Sequence, residues 1–583
     1  MWGPTSPLPQ CPYTPNNNQQ PTQFSSSPSR LPNSFLPSDP FSARKRRRER
    51  ERDQAGTEIR MDLLYDDPCS DSECDECHVE HHDHPRGRLP VREKAGSQEQ
   101  SGSDESGEKK DVVKDEEKQR AVKAGAESAS ASASPNRILI DTDPGVDDVL
   151  ALLLAFSAKK EELEVLGVTL TWGNIDVVSC LRNVVSMFHW IEKEMAWRKE
   201  RGQPEGFDTL RKTKPFVAVG AQEPLADQIV MADYFHGIDG LGGIHSSHPH
   251  LTPEETWKDL FASALSSSDK ETREAAKEAQ QPNAIFTPSN RRAHQEILRV
   301  LKENEPNTVS IVAIGPLTNL ALAAAEDPET FLRVKEVVVM GGAIKEIGNV
   351  TPVSEFNVYA DSVAAARVFA LTSPIPSTTM PPVPPKVPES TSSSHKYLGP
   401  YPPNLSRTLK LVLFPLDITE THALTCADFT KLTSPLVAAS SASPLATWVT
   451  AFVQSTFAKI TSLASAPPEN PGDVTLALHD PLTIWYALSP GHSSWGLAKP
   501  EGEDIRVETS GQWTRGMCVV DERLRARRTH GPEDSEIPGD AGNWLSPKAG
   551  NRICRMVKSP GPERFGRIML ARIFQVDAGK DCF

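Results

Sequence analysis

From residue 137 onward, short apolar runs rich in Val, Ile and Leu alternate with longer stretches of helical periodicity. A strand buried on both faces is apolar along its whole length, so this alternation predicts parallel strands covered by helices on both sides. The predicted strands are RILID (137–141), VLGVTLT (165–171), FVAVG (216–220), TVSIVAI (308–314), VKEVVVM (334–340) and LKLVLF (409–414). The predicted helices include residues 149–156, 177–191, 317–325 and 361–371. The pattern is typical of an α/β fold with a mostly parallel central sheet.

The first 135 residues have a different composition, dominated by Pro, Ser, Asn, Gln and charged residues without apolar periodicity. Such a segment cannot bury enough apolar surface to offset the entropy of ordering. We therefore predict a disordered low-complexity arm at residues 1–135 and one α/β domain at residues 136–583. This domain is long for a single core. The excess lies in polar segments near residues 245–291, 373–408 and 523–550, which we interpret as surface insertions.

The composition argues against several classes of protein. A formal net charge of −15 disfavours general nucleic-acid binding. The chain has no apolar run of about 18 residues, and its N-terminus lacks the basic-then-apolar order of a secretory signal. The nine cysteines are odd in number and scattered, which does not suggest a disulfide framework. We therefore expect a cytoplasmic protein without a membrane anchor.

Two segments of the arm are candidates for a function of their own. The run RKRRRERER at residues 44–52 is similar to a nuclear-localisation or nucleic-acid patch, but Glu49 and Glu51 dilute its charge and favour a solvated charge run. The second segment gathers thiols and imidazoles, the ligand types that zinc prefers. Its members are Cys69, Cys74, Cys77, His78, His81, His82 and His84. Because no strand or turn signal flanks this segment, adventitious metal affinity is the favoured interpretation.

Acidic residues follow the first predicted strand, at the end where ligands bind in open parallel sheets. Asp141, Asp143, Asp147 and Asp148 surround a Pro-Gly turn. Capping a helix needs one Asp, so four of them within eight residues indicate a neutralising cation. With no Cys or His among them, a hard, oxygen-binding cation is expected, and Ca²⁺ fits this description. Mg²⁺ is the competing interpretation, but no phosphate-binding loop lies nearby.

Six separated motifs follow one another along the chain: DTDPGVDD (141–148), TLTWGN (169–174), FHGIDGLGG (235–243), IGPLTN (314–319), MGGAIKEIGNVTPVSEFNVYAD (340–361) and LHDPL (478–482). Together they resemble the motifs of the inosine-uridine preferring nucleoside hydrolases. The resemblance covers nearly all of residues 137–583 outside the insertions. It implies an open, mostly parallel central sheet flanked by helices. It also implies an enzyme of nucleoside catabolism or salvage that hydrolyses the N-glycosidic bond of ribonucleosides to free nucleobase and ribose.

The same resemblance implies a Ca²⁺ cofactor and three catalytic residues. The calcium ligands would be the carboxylates of Asp143, Asp148 and Asp480 and the main-chain carbonyl of Ile314. The catalytic residues would be Asp143, His236 and His479. Asp143 would be the general base for the attacking water, and His479 the candidate acid for the departing nucleobase. Histidine suits that task because its side chain titrates in the useful range.

The ribose contacts are also implied by the resemblance. Asp147, Asn174 and Asn357 would hold the 2′- and 3′-hydroxyls, and Asn349 and Glu355 would reach the 5′-hydroxyl. Such oxygen-bearing groups suit the reaction, because cleavage builds positive charge on the sugar ring. Members of this family are typically dimers or tetramers. We therefore expect a homo-oligomer whose partner is a small ribonucleoside, and neither a membrane nor a nucleic acid.

The base end of the site departs from the family pattern. Many members place a Tyr or Gln on the helix about a dozen residues before the His-Asp pair, whereas this chain has SLASAPPENPGD at residues 462–473. Purine and pyrimidine nucleosides therefore both stay open as substrates. Another ribosyl substrate, such as a nicotinamide riboside, is a further alternative. The rival hypothesis from a different class is a catalytically inactive nucleoside-binding or regulatory protein that acts through its basic and Cys/His-rich arm.

Overall fold

The computed structural model describes residues 134–577 apart from 254–284, 383–397, 439, 467 and 526–538. The predicted arm up to residue 133, with its basic run and its Cys/His cluster, lies outside the described residues. So do most of the predicted insertion near 245–291 and a little under half of each of the other two, near 373–408 and 523–550. Among the helices that are described, none combines the length and apolar composition needed to cross a bilayer.

Thirteen strands and fifteen α-helices make up the described part of the domain. The strands are β1 (Asn136–Thr142), β2 (Leu163–Leu170), β3 (Phe216–Val219), β4 (Thr287–Pro288), β5 (Val309–Ala313), β6 (Val337–Met340), β7 (Leu411–Phe414), β8 (Ala423–Thr425), β9 (Thr475–Ala477), β10 (Gly496–Leu497), β11 (Ile505–Val507), β12 (Cys518–Val520) and β13 (Cys554–Lys558). The helices are α1 (Val146–Phe156), α2 (Val177–Glu200), α3 (Asp208–Thr213), α4 (Asp233–His236), α5 (Ile244–Ser247), α6 (Ala293–Glu303), α7 (Thr318–Glu326), α8 (Pro328–Phe331), α9 (Phe356–Ala360), α10 (Ser362–Ala370), α11 (Leu416–Thr419), α12 (Cys426–Val437), α13 (Pro444–Leu463), α14 (His479–Leu488) and α15 (Pro562–Phe574).

Nine of the strands form one sheet in the order β10-β13-β7-β6-β5-β1-β2-β3-β4. All neighbouring pairs in this sheet are parallel except β10 with β13 at one edge. The sheet is therefore mostly parallel and flanked by helices, which confirms the predicted fold class. The chain runs from β1 outward to β4 on one side and returns at β5 on the other. The carboxyl ends of β1 and β5 thus meet at the point where ligands bind in such sheets.

Alternate residues of the central strands enter two separate apolar cores. Ile138 and Ile140 of β1 face the core built with α1, α2, α13, α14 and α15, whereas Leu139 faces the core built with α6, α7 and α10. β6 and β7 alternate in the same way between the two clusters. This two-sided burial explains why these strands are apolar along their whole length. The core accordingly holds the carboxyl ends of β1, β5 and β6 in a fixed arrangement.

Candidate functional site

A cavity of about 340 Å³ lies beyond the carboxyl ends of the central strands. Strand-end residues, the first turns of α1 and α14, and the short helices α4 and α9 supply its walls. The lining residues are Asp147, Asn174, Ala232, Tyr234, Phe235, His236, Ile314, Met340, Asn349, Val350, Glu355, Phe356, Asn357, Glu420, Ile460, Thr475, Leu476, Ala477, His479 and Asp480. Of the predicted site residues, only Asp143 and Asp148 are not in the cavity wall, and both lie buried directly behind it.

Buried carboxylates are concentrated at one end of this cavity. Oxygens of Asp147, Asp148 and Asp480 all lie within 4.8 Å of one another. Asp143, predicted from the sequence as a member of the ligand set, is not in this group of three. It is fully buried, however, and its Oδ1 has no hydrogen-bond partner among the described residues. Four acidic side chains thus surround the turn between β1 and α1.

Burial and mutual repulsion make this arrangement costly when all four groups are ionised. Burial, reinforced by the charge of Asp148, raises the pKa of Asp143 well above its usual range. Burial and Asp148 also raise the pKa of Asp147 to about 7. The pKa of Asp480 is raised by burial and by the other three carboxylates. Within the described part of the chain, no lysine or arginine forms an ion pair with these groups. The donor set therefore fits a hard divalent cation.

Hydrogen bonds hold two of these carboxylates in place. Asp148 Oδ1 accepts the hydroxyl of Thr142 at 2.6 Å, and its Oδ2 accepts the Gly145 amide at 3.0 Å and the Asn174 side chain at 2.8 Å. Asp143 Oδ2 accepts the backbone amide of Asn174 at 2.7 Å. The turn after β2 and the first turn of α1 therefore both help to hold the carboxylates of Asp143 and Asp148 in place.

Two glycines of the sequence motifs are explained by the space around Asp143. A Cβ at Gly173 would collide with Asp143 Oδ2, and a Cβ at Gly315 would collide with Asp143 Oδ1. The backbone after β2 and after β5 therefore approaches the carboxylate as closely as only glycine permits. The Trp-Gly-Asn and Gly-Pro motifs thus confine Asp143 from two sides.

The two asparagines predicted to bind ribose present the same chemical group. Asn174 donates its side-chain amide to Asp143 O at 3.1 Å and to Asp148 Oδ2. Asn357 donates its amide to Ile314 O at 3.2 Å and to Met340 O at 3.4 Å. Because the NH₂ groups are used within the protein, each side chain has its Oδ1 left as an acceptor. Hydroxyl groups of a ligand are the donors that match such oxygens.

Asn349 and Glu355 also line the cavity, and both organise α9. Glu355 accepts the amides of Asn357 and Val358 at 2.8 and 3.0 Å and that of Gly342 at 2.8 Å, which caps the helix. Asn349 Oδ1 accepts the amide of Phe356 at 2.9 Å. Both side chains therefore have a structural task in addition to any contact with a ligand, and the group that Asn349 can still offer is its NH₂.

Both predicted histidines line the cavity as neutral rings. Burial, and the proximity of His479, lower the pKa of His236 to about 3. The Val146 amide donates to His236 Nδ1 at 3.3 Å, so the ring proton of His236 lies on Nε2. Burial also lowers the pKa of His479 to about 4. The Nδ1 atom of His479 lies 2.8 Å from Thr419 Oγ1.

Sequence reasoning did not assign the network that ties the strand ends together. Asn319 donates to Asp141 Oδ1 at 2.9 Å and to Leu170 O at 3.0 Å, and it accepts the Ala221 amide at 2.9 Å. This one side chain joins the ends of β1, β2 and β3. Its place in the Gly-Pro-Leu-Thr-Asn motif was a usable signal, but its contact with Asp141 spans 178 residues of sequence.

The apolar part of the cavity wall also went unassigned. Tyr234 and Phe235 of α4, Ile460 of α13, and Leu476 and Ala477 of β9 line it. The predicted departure at residues 462–473 follows Ile460 directly, since α13 ends at Leu463. Apart from Phe235, which begins the FHGIDGLGG motif, no motif marks these positions, because any apolar side chain of suitable size can form such a wall.

The chain is similar to several known proteins. The sequence model of the inosine-uridine preferring nucleoside hydrolases matches residues 138–542. Uridine nucleosidase 1 of Arabidopsis thaliana is 33% identical over 246 residues, which are 42% of this chain and 56% of the relative. The pyrimidine-specific ribonucleoside hydrolase RihA of Klebsiella pneumoniae is 28% identical over 384 residues, which are 66% of this chain and 88% of the relative.

An uncharacterised protein of Schizosaccharomyces pombe is 28% identical over 396 residues, covering 66% of this chain and 89% of that protein. A purine-preferring ribonucleoside hydrolase from Gardnerella vaginalis aligns in structure with a TM-score of 0.47 at 20% identity, covering 75% of this chain and 98% of the other. The family match spans most of the α/β domain and all six motifs. The chain therefore belongs to the inosine-uridine preferring nucleoside hydrolase family and is a nucleoside-hydrolysing enzyme.

Proposed function

We propose that this protein uses Ca²⁺ to hydrolyse the N-glycosidic bond of ribonucleosides, releasing free nucleobase and ribose. The observation that carries the proposal is the group of four buried carboxylates, without an ion-pair partner in the described part of the chain, at one end of the cavity. A bound cation offsets this concentration of negative charge and lets the carboxylates stay ionised at neutral pH. The cavity beside it has the size and the oxygen-rich lining that a nucleoside needs.

The proposed calcium ligands are Asp143, Asp148, Asp480 and the carbonyl oxygen of Ile314. Carboxylates together with a main-chain carbonyl form the all-oxygen donor set that Ca²⁺ prefers. A bound divalent cation lowers the pKa of a water molecule in such a site. Asp143 is the proposed general base because its Oδ1 has no other hydrogen-bond partner among the described residues and is confined by the glycine turns. The proposed role of this oxygen is to take a proton from the attacking water.

The proposed ribose contacts use the acceptors identified above. Asp147 and the Oδ1 atoms of Asn174 and Asn357 accept hydrogen bonds from the 2′- and 3′-hydroxyls. The same oxygens stabilise the positive charge that develops on the sugar during cleavage. Asn349 and Glu355 are proposed to lie against the 5′-hydroxyl. The ordered α9 cap that they form keeps this wall in place.

His236 and His479 are proposed to lie beside the nucleobase. Because burial lowers the pKa of His479 to about 4, its ring is neutral near pH 7. We therefore propose that it assists the departing base as an N–H hydrogen-bond donor. This refines the acid role of His479 that the family resemblance implies. A fixed donor of this kind stabilises negative charge that builds up on the leaving group. The apolar wall of Tyr234, Phe235 and Ile460 packs against the base.

The compartment and assembly state are parts of the same proposal. We expect a homodimer or homotetramer, as the family resemblance implies, and a cytoplasmic location, as the sequence composition indicates. The cysteines Cys180, Cys426, Cys518 and Cys554 are free thiols, which suits a reducing compartment. Nuclear entry through residues 44–52 stays an alternative to the favoured solvated charge run, and a regulatory role of the arm stays the rival hypothesis; both concern residues outside the described part of the chain.

Ribonucleosides should be much better substrates than 2′-deoxynucleosides. Without the 2′-hydroxyl, buried acceptors of the site are left without a hydrogen-bond donor. The value of kcat/KM for 2′-deoxyinosine and 2′-deoxyuridine should therefore fall by about 10²-fold or more. The measurement follows release of free base by chromatography. Uridine and inosine serve as reference substrates, since two relatives are named for uridine or pyrimidine nucleosides and the family is named for inosine and uridine. Equal kcat/KM values for each ribo- and deoxynucleoside pair would show that the ribose contacts are misassigned.

A further inference from the structure

We infer that Thr419 is a positioning residue for the reaction, because its hydroxyl fixes the ring proton of His479 on Nε2. The inference rests on the proposed function in one respect, namely that His479 serves the departing nucleobase. Neither the sequence motifs nor the family resemblance assigned a role to Thr419.

The contact joins two elements that are distant in sequence. Thr419 is the last residue of α11, which follows β7 directly, and His479 is the first residue of α14. The Thr419 side chain is fully buried, and its Oγ1 lies 2.8 Å from His479 Nδ1. The backbone amide of Thr419 donates to Pro415 O at 3.1 Å, which anchors the threonine in its own helical turn. The hydroxyl that contacts the imidazole is therefore held in place by burial and by the backbone hydrogen bond of its own residue.

The direction of this hydrogen bond follows from the other nitrogen of the ring. Glu420 Oε1 lies 3.9 Å from His479 Nε2. In a neutral imidazole one nitrogen carries the proton and the other accepts. A proton on Nε2 faces the carboxylate favourably, whereas a bare Nε2 would turn its lone pair toward a negative oxygen. The proton therefore lies on Nε2, and Thr419 donates to Nδ1.

This tautomer is the one that serves a ligand in the cavity. Nδ1 faces buried Thr419, so Nε2 lies on the opposite side of the ring, next to Glu420, which lines the cavity together with His479. An Nε2–H group can donate to a nitrogen of the departing base, whereas the other tautomer offers no proton there. Thr419 thus acts through His479 and has no contact of its own with the substrate.

The test compares Thr419→Val with Thr419→Ser in the full-length protein with Ca²⁺ supplied. Valine has the shape of threonine without the hydroxyl, whereas serine keeps the donor. We expect kcat for uridine and inosine to fall by about 10- to 100-fold in Thr419→Val and to recover in Thr419→Ser. Turnover of p-nitrophenyl riboside, whose leaving group needs no proton, should be spared. Thr433→Val is the matched control, because Thr433 is also buried and, among the described residues, its hydroxyl bonds only within its own helix, to Phe429 O.

A second measurement determines the tautomer of His479 directly and does not depend on enzyme activity. ¹⁵N NMR of histidine-labelled protein, with the His479 signals identified from a His479→Gln spectrum, should show the proton on Nε2. This result supports the inference even if no nucleoside is turned over, so it separates failure of the inference from failure of the proposed function. A ring proton on Nδ1 would overturn the inference. Equal losses on nucleosides and p-nitrophenyl riboside in Thr419→Val would overturn it as well.

Discussion

Replacing Asp143 with asparagine is expected to lower kcat/KM for ribonucleosides by at least about 10³-fold, since it removes the proposed base and one calcium ligand together. The amide has the shape of the carboxylate, and its oxygen can still accept from the Asn174 backbone amide. The change should therefore alter charge more than packing. Steady-state kinetics and calcium titration measure the two losses. Asp540→Asn is the matched control, because Asp540 is buried but does not line the cavity.

The stability of the same variant separates loss of charge from misfolding. A carboxyl group whose pKa is raised in the folded state stabilises the fold at low pH, and this contribution is lost as the pH rises through the folded pKa. Because the pKa of Asp147 is raised to about 7 and that of Asp143 is also raised, metal-free protein should become less stable between about pH 4 and 7. The Asp143→Asn variant should lose less folding stability than the unmodified protein over this pH range, because it has one buried carboxyl group fewer. A variant that is both inactive and strongly destabilised at every pH would contradict the assignment.

Replacing His479 with alanine is expected to lower kcat by about 10²- to 10³-fold for uridine and inosine, because the departing base loses its hydrogen-bond donor. Turnover of p-nitrophenyl riboside should change far less. The comparison of the two substrate types separates help to the leaving group from a general effect on the site. His422→Ala is a useful control, since His422 is a buried histidine that bonds to Ser559 Oγ at 2.7 Å and does not line this cavity.

The competing role for His479 is orientation of its neighbour Asp480. In that case the alanine variant should bind Ca²⁺ more weakly and lose activity equally on both substrate types. Such a result would remove His479 from the list of residues that touch the substrate. It would leave the carboxylate group and the ribose contacts as proposed.

The central part of the fold could be predicted because its strands are buried on both faces. β1, β2, β3, β5, β6 and β7 all lie within predicted apolar runs, apart from one or two end residues, and their alternate residues enter the two cores. β4 and β8–β13 were not predicted: all but β13 have only two or three residues, and β13 is mostly not buried, so it lacks the apolar run of the central strands. β4 in particular lies inside the segment interpreted as an insertion, yet it pairs with β3 and extends the sheet. The extended conformation of such short strands is determined by pairing with a neighbouring strand and not by a local sequence pattern.

The strand-end rule also located the candidate site, since it placed Asp143, Asn174 and Ile314 at neighbouring strand ends. Contacts between distant side chains could not be predicted in this way. The bond from Thr419 to His479 spans 60 residues, and the group of three closest carboxylates contains Asp147 where Asp143 was expected. The neutral state of both histidines likewise depends on burial, which a motif does not reveal.

The central claim is that ribonucleoside hydrolysis depends on a cation held by the buried carboxylates. The most direct measurement is release of free base from uridine and inosine by the full-length protein before chelation, after exhaustive chelation, and after Ca²⁺ is returned. Elemental analysis of each sample reports the bound metal. We expect activity to disappear with the metal and to return with Ca²⁺, at one ion for each chain. Undiminished turnover in protein shown to contain no metal would contradict the account.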